Sequence, residues 1–417
     1  MRLAGWLGLA GLAACSFLIA AGAAGSASSL VPASRGGFPG WLAGPLSVFD
    51  LHLGRAAVGA LLLGMCVGYA LVLASAGRLG ARPVVAGILV THLIFLAGPP
   101  LFSADVFGYI AFARLGALHH VDPYSHGAVA APHDPVFQFL GWHHLTSPYG
   151  PLFTVASYVL VPLGVAGSLW AFKAIAAACS LGIVALVARL AELRGLAASR
   201  AMALVGLNPL LLVYGLGGAH NDFLVMLVVL GGIAAAVRGR EGAGGAVVVG
   251  ASAMKASAAL FVPFMVVGSQ RRRAVLAGMA AALLVAGVIA VAAFGAHAAG
   301  FAGQVRLQQH LVAGSSVPNR VGELLGLGGL THGLRAVAVA GFAAAFLVAL
   351  ARARHGDWIT SAGWATLALL VTSAWLLPWY VIWLLPLAAV SASRRLEGAT
   401  LAFCAYVVVT RVPFLLG

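Results

Sequence analysis

Charge is what this sequence has least of. Asp, Glu, Lys and Arg make up 8% of its 417 residues, about a third of the share usual in a globular protein. No stretch of roughly 100 residues is polar enough to stand as a soluble domain. Lysine is nearly missing as well: Lys173 and Lys255 are the only two. The four cysteines, Cys15, Cys66, Cys179 and Cys404, each lie inside an apolar run without a close-spaced partner. That excludes a disulfide framework, a zinc knuckle and a redox pair.

What fills the space is apolar. Hydrophobic residues are 62% of the chain and the mean hydropathy is +1.03, spread over the whole length rather than gathered into one anchor. Repeated runs long enough to cross about 30 Å of hydrocarbon make this an integral membrane protein. The net charge of +14 would suggest nucleic acid in a soluble protein. Here the arginines sit in short gaps between apolar runs, where they set orientation and meet lipid headgroups, so membrane lipids and no nucleic acid are the expected partners. The Ala-, Gly- and Arg-rich usage is the habit of a GC-rich bacterial genome, and the expected location is a bacterial plasma membrane, crossed many times.

The positive-inside rule orders the runs. Residues 3–25 form a signal peptide or first span that leaves the chain outside. The Gly-, Pro- and Ser-rich segment 26–55 follows, and residues 56–76 return to a basic turn at Arg78 and Arg82. Residues 83–102 go out again, and 103–150 form an outer loop, the longest polar stretch in the protein. To bring the basic cluster Arg189, Arg194 and Arg200 back inside, the short run 151–165 must insert only halfway. Runs of basic residues flank 245–267 on both sides, which requires a re-entrant pair broken near Lys255. A second outer loop covers 295–331. The expected architecture is all-α: a single polytopic membrane domain over residues 1–417, with about eleven spans and two partial insertions. Six of the ten acids fall outside under this scheme, so the outer face holds the unusual chemistry.

Several constellations could carry that chemistry. In SADVFGYIAFARL, Ser103 is placed to start a short helix with Asp105 in its first turn and Tyr109 one turn on, along the same face. Asp105 is either a complement to the helix dipole or a general base at the membrane surface. The loop beyond it packs His119, His120, His126, His133, His143 and His144 into 26 residues, with Asp122 and Asp134 between them. No spacing there matches a two-histidine helix motif or a closed zinc site, so no metal is expected, and no cofactor. SPYGPL, with Tyr149, is a turn into a helix or an outer substrate wall. GLGGAHNDF sets His220, Asn221 and Asp222 between two apolar runs, either satisfying one another or facing a polar substrate. Lys255 is a lone cation in an apolar segment and requires an anion, from an acid or a phosphate. Arg306, His310 and Arg320 stand on the outer loop against the charge trend; they suit a lipid phosphate, or, for Arg320, a structural pair with Glu323. Trp375, Trp379, Tyr380 and Trp383 surround Pro378 as an aromatic belt or as a stacking surface for sugar or isoprenoid.

Together, the Asp after an outward helix, the DPY loop, the PYGPL turn, the HND knot, the intramembrane Lys and the PWY helix break resemble the actinobacterial polyprenol-phosphomannose-dependent α-mannosyltransferases of the GT-C class. The resemblance runs roughly over residues 83–391 and rests on the order of the motifs rather than on any one of them. It implies a polytopic helical bundle that takes a sugar, mannose by the family's habit, from a polyprenyl-phosphate donor on the outer face and passes it to a glycan or glycolipid acceptor. It further implies inversion at the anomeric carbon and Asp105 as the base. Lys255, Arg320, Arg306 and His310 would then hold the donor phosphate, and Tyr109, Tyr149, His220, Asn221, Asp222, Trp379 and Tyr380 would line the substrate. Two other classes compete: a transporter or flippase of lipid-linked sugars, against which stands the lack of evident internal repeats, and a purely structural membrane protein, which predicts no convergence of these motifs.

Overall fold

A computed structural model describes residues 2–25, 30–32, 39–308 and 310–416. Parts of the Gly-, Pro- and Ser-rich segment (26–29 and 33–38) and Gln309 of the segment 295–331 lie outside the described residues. Among the described residues every regular element is helical. The chain folds as two compact units: Met1–His144, Ser157–Leu224 and Val408–Gly417 form the first, Leu145–Ala156 and Val225–Val407 the second.

Five helical stretches are long and apolar enough to cross a membrane: Arg2–Ala24, Arg55–Leu79, Pro151–Leu193, Arg272–Gln304 and His332–Ala353. Five others are apolar over only 10–17 residues and reach roughly 15–26 Å, short of a full hydrocarbon thickness. Broken helices account for much of this shortness. The apolar runs read from the sequence are present, but several are divided by extended residues, 3-10 turns or a π turn.

In the first unit, Arg2–Ala24 lies against Arg55–Leu79 through small residues. A Cβ on Gly8 would stand 2.6 Å from the Gly68 carbonyl, so the two backbones approach as closely as glycine permits. Long-range bonds from side chains to backbone tie the remaining helices together: Tyr69 Oη donates to the Leu204 carbonyl at 2.6 Å, and Arg200 to the Leu73 carbonyl at 2.7 Å. His92 Nε2 meets Ser180 Oγ at 2.8 Å across the Ala81–Ala97 and Gly164–Leu193 helices. Each removes an orphan polar group from an apolar interior, where an unpaired one is costly. The long helix Gly164–Leu193 is preceded in this unit by the 3-10 turn Tyr158–Leu163; the seven-residue helix before that turn, Pro151–Ser157, belongs but for its last residue to the second unit.

In the second unit the segment expected to turn back is a helical hairpin. Glu241–Met254 ends at Lys255, whose backbone is extended (φ −154, ψ 124); a 3-10 turn, Ala256–Phe261, and the helix Val262–Gly268 follow. Its two ends meet, because the Glu241 carboxylate accepts from the backbone N–H of Gln270 (3.2 Å) and Arg271 (2.6 Å). Trp358–Thr372 is capped by Asp357, which accepts from the Ile359 N–H at 3.2 Å. The chain then opens before the turn Pro378–Tyr380 and resumes as Val381–Val390. Proline at the first position of that turn has no N–H to leave unsatisfied.

Candidate functional site

In the first unit the helix Asp105–Ala117 begins directly after a strained entry. Phe102 has φ +58, a left-handed conformation that a bulky residue rarely adopts. It is held there from both sides: its N–H donates to the Leu30 carbonyl at 2.8 Å, and the preceding Leu101 N–H donates to Gly217 at 2.9 Å. Ser103 Oγ accepts from the Asp105 N–H at 3.2 Å. The carbonyls just upstream are fixed by Lys173, buried on its own long helix, which donates to Phe95 (3.0 Å) and Pro99 (3.4 Å) and lies 5.8 Å from the Trp170 ring.

The Gly217 that holds Leu101 belongs to the HND segment. A π turn, Leu211–Leu216, leads into it, an irregularity that in helices is found mostly at functional sites. Ala219 is left-handed at φ +54. A side chain on Gly218 would stand 2.6 Å from both His220 Nε2 and the Tyr214 carbonyl, so only glycine lets the turn close over the His220 ring. The consequence is a meeting of residues more than a hundred positions apart. His220 Nδ1 stands 3.5 Å from Asp105 Oδ2, with the imidazole fully buried and the Asp105 side chain 38% exposed. The Asn221 N–H donates to Tyr109 Oη at 3.2 Å. Asp222 is buried at the first position of Asp222–Val237, where the helix dipole favours a carboxylate. Asp105, Tyr109, His220 and Asn221, drawn from two separate motifs, thus form one cluster. Its carboxyl group is the member an incoming molecule can reach.

The histidine-rich loop is bonded to this helix. Arg114, in the last turn of the Asp105 helix, donates through Nε to both oxygens of Asp134 at 2.9 and 3.0 Å. His119 Nε2 reaches Asp134 Oδ2 at 2.7 Å, and the Val136 N–H donates to Oδ1 at 3.0 Å. Burial pushes the Asp134 carboxyl up, but these bonds and the Arg114 charge outweigh it and hold its pKa below the ordinary carboxylate value. Phe139 stacks on Phe107 with ring centroids 4.6 Å apart, so the loop grips both ends of the helix. His143 is turned to the Phe137 carbonyl and ring, and His126 to Ser125. Among the described residues no three His, Cys, Asp or Glu come together as metal ligands.

In the second unit three further motifs converge. The Gly150 N–H of SPYGPL donates to the Met254 carbonyl at 2.9 Å, setting the Tyr149 turn against the break at Lys255. Lys255 Nζ stands 5.6 Å from the Trp383 ring centre, within cation–π range. Tyr380 stacks on Trp383 at 4.7 Å, while Trp379 is buried. The segment before Arg320 is joined to the same region: the Ala313 N–H donates to the Ala374 carbonyl at 2.8 Å, and Tyr406 Oη to Ser315 at 2.9 Å. Arg320 itself pairs with Glu323 at 2.7 Å, the structural partner the sequence offered it. Arg306 and His310 are exposed, and the His310 carbonyl accepts from Arg335 at 3.4 Å.

Comparison with known proteins shows the family. The alpha-(1->6)-mannopyranosyltransferase N-terminal domain matches residues 5–271, and the MptB C-terminal domain matches residues 312–414. The chain belongs to the alpha-(1->6)-mannopyranosyltransferase family. It is 31% identical over 354 residues to the alpha-(1->6)-mannopyranosyltransferase A of Mycobacterium tuberculosis, covering 75% of this chain and 66% of that protein. It is 31% identical over 201 residues to the enzyme of the same name from Corynebacterium glutamicum, covering 46% of this chain and 40% of that one. The chain thus spans less than two thirds of the length of these curated relatives. No solved structure matches. The family match covers both the Asp105–His220 cluster and the Lys255 break.

Three features of the site escaped the reading of the sequence. Arg114 and Asp134 are 20 positions apart on a helix and an irregular loop, and no spacing rule pairs them. Lys173 carried a signal: it is a lysine in an apolar run, like Lys255, and the same reasoning applies to it. Trp383, read as part of a belt or of a stacking surface, is the residue over which Lys255 rests.

Proposed function

We propose that this protein is a membrane mannosyltransferase that moves a sugar from a polyprenyl-phosphate donor to a glycan or glycolipid acceptor on the outer face of a bacterial plasma membrane. The observation that carries the reading is the Asp105–His220 pair, a reachable carboxylate against a buried imidazole on a helix gripped at both ends. Family membership and the printed activity of the relatives support it. The GT-C arrangement with about eleven spans remains our reading of the charge pattern; it counts the broken helices as crossings or partial insertions and treats the two units as one polytopic domain.

The chemistry follows from the groups. Asp105 accepts the proton of an acceptor hydroxyl while that oxygen forms a bond to the anomeric carbon. The bond from that carbon to the phosphate oxygen breaks on the opposite face, the electron pair leaves with the polyprenyl phosphate, and the anomeric centre inverts. His220 fixes the geometry of the base, and Tyr109 holds the Asn221 backbone next to that histidine. Negative charge growing on the leaving phosphate is met by Lys255, with Arg320, Arg306 and His310 as further cations of the second unit. Tyr149 and Tyr380 complete the proposed substrate contacts, while Asn221, Asp222 and Trp379, which are buried, shape the walls behind them.

The test is transfer of labelled mannose from synthetic polyprenyl phosphomannose to a mannoside in detergent, with and without chelator. Transfer by the parent protein, lost in Asp105→Asn and indifferent to chelator, supports the mechanism. Undiminished transfer in Asp105→Asn removes Asp105 as the base, and absence of transfer by the parent refutes this choice of donor.

A further inference from the structure

The corner between Val317–Leu324 and His332–Ala353 is built to hold leucines away from the protein. Leu324 is 87% exposed, Leu325 62% and Leu327 52%. Exposed leucines on a loose loop would mean little, but this corner is tightly tied. Asn319 Oδ1 accepts from the Leu330 N–H at 3.0 Å, the Leu327 N–H donates to Gly322 at 2.9 Å, and Thr331 Oγ1 accepts from the Leu334 N–H to cap the next helix. Gly326, Gly328 and Gly329 all take positive φ (73, 72 and 123), and a Cβ on Gly322 would collide with the Gly329 carbonyl. The backbone is therefore committed to a compact turn whose apolar side chains point outward. The polar groups of the same helix, Asn319, Arg320 and Glu323, are bonded among themselves (Asn319 Nδ2 to Glu323 Oε1 at 2.8 Å, Arg320 to Glu323 Oε2 at 2.7 Å). This amphipathic division suits a boundary between polar and apolar media.

What covers the leucines is indicated by the next helix. His332–Ala353 is apolar and long enough to span a membrane, and only 6% of its apolar window is buried inside the protein. Val337, Val339, Leu347 and Val348 are exposed along it. The leucine corner lies at the end where this span begins, which in a spanning helix is the depth of the lipid headgroups. We propose that Leu324, Leu325 and Leu327 insert into the bilayer interface and fix the depth of the His332–Ala353 helix, with the Arg320–Glu323 pair above them in the headgroup layer. This inference does not depend on the sugar-transfer reading.

The experiment places an environment-sensitive fluorophore on Leu325→Cys in the full chain, reconstituted in bilayers of neutral phospholipid, with labelling of the parent subtracted. The expected result is blue-shifted emission, shielding from aqueous iodide, and quenching several-fold greater by a lipid nitroxide near the headgroup than by one at the tail end. Free quenching by iodide without an effect of lipid nitroxides would place the corner in water and overturn the proposal. Protection from both quenchers would show that protein covers it, a second copy or another chain, and would overturn it equally. Leu327→Cys, labelled in the same way, must give the same pattern; it also replaces the first variant should that one fail to fold.

Discussion

Asp134→Asn tests whether the histidine-rich loop holds the helix that carries Asp105. The carboxylate is 3% exposed and is shared by Arg114, itself mostly buried, by His119 and by the Val136 N–H. Asparagine keeps the shape and can still accept from Val136, but it removes the charge that compensates Arg114. Removing one partner of a buried ion pair costs up to about 3–5 kcal/mol. With the backbone bond retained, we expect about 2–3 kcal/mol, the range of a charged hydrogen bond. The Phe107–Phe139 stack remains, so the loss is local: the loop opens more often while the unit stays folded. At about 1.4 kcal/mol per decade this is roughly thirty- to hundredfold faster amide exchange over residues 128–140. The double variant Arg114→Gln with Asp134→Asn should lose less protection than the two single losses combined, because the uncompensated arginine is gone. Acid should mimic the substitution. The folded-state pKa of Asp134 is depressed, so its contribution is complete above the ordinary carboxylate value of about 3.9 and is lost as pH falls through the lower folded value. Exchange in this loop should therefore follow the intrinsic pH dependence from neutral to about pH 4 and depart from it only below. Unchanged exchange in Asp134→Asn would refute the grip, and additive losses in the double variant would refute direct pairing.

Other substitutions follow from the same geometry. Gly218→Ala should abolish sugar transfer and also lower the unfolding temperature in detergent, since the added methyl meets both the His220 ring and the Tyr214 carbonyl; transfer at the parent rate would show that the turn has room. Lys255→Ala should weaken binding of the polyprenyl phosphate donor by tenfold or more, on the order of the 1.4 kcal/mol that one charged contact exceeds; unchanged donor affinity in a direct binding measurement would discard Lys255 as the phosphate cation. Lys173→Met should lower the unfolding temperature measurably, because the Phe95 and Pro99 carbonyls lose their donor, each such loss being worth about 1–3 kcal/mol; an unchanged midpoint would mean that water or backbone takes over the bonds.

The sequence made the apolar runs and their helical character legible because a bilayer imposes them: wherever about twenty apolar residues occur in a row, an all-helical solution is nearly forced. Charge bookkeeping located the break at Lys255 correctly, since basic clusters on both sides of one apolar run have few physical resolutions, and the Glu241 carboxylate closes the resulting hairpin on the Gln270 and Arg271 amides. What could not be read was pairing at long range. Asp105 and His220 are each unusual for their depth, but nothing in either motif names the other. The contact depends on the left-handed Phe102 and Ala219 and on the Leu101–Gly217 bond, which are products of folding rather than of composition. The histidine cluster shows the converse. Its density was real, but density alone does not distinguish ligands from supports, and three of the six histidines are engaged by Asp134, Ser125 and the Phe137 carbonyl.

The aromatic break shows how geometry bears on the stacking reading that the sequence offers beside the aromatic belt. A tryptophan that stacks on sugar must offer an open ring face. Trp383 is stacked with Tyr380 at a 17° interplanar angle and also has Lys255 Nζ over its ring, so both of its neighbours use the π surface a sugar would need. This geometry favours a role in supporting the cation over one as a platform. Trp379 is buried and also offers no open face. Of the PWY residues, Tyr380 remains as the partly exposed ring. A cation steadied by an aromatic face keeps its charge available for a partner on its other side, which is what a departing phosphate requires. Replacing Trp383 by leucine should therefore act through Lys255: donor affinity falls as in Lys255→Ala, and the combined variant falls no further. If the two losses were additive, Trp383 would be making a substrate contact of its own, and the stacking role would return to it.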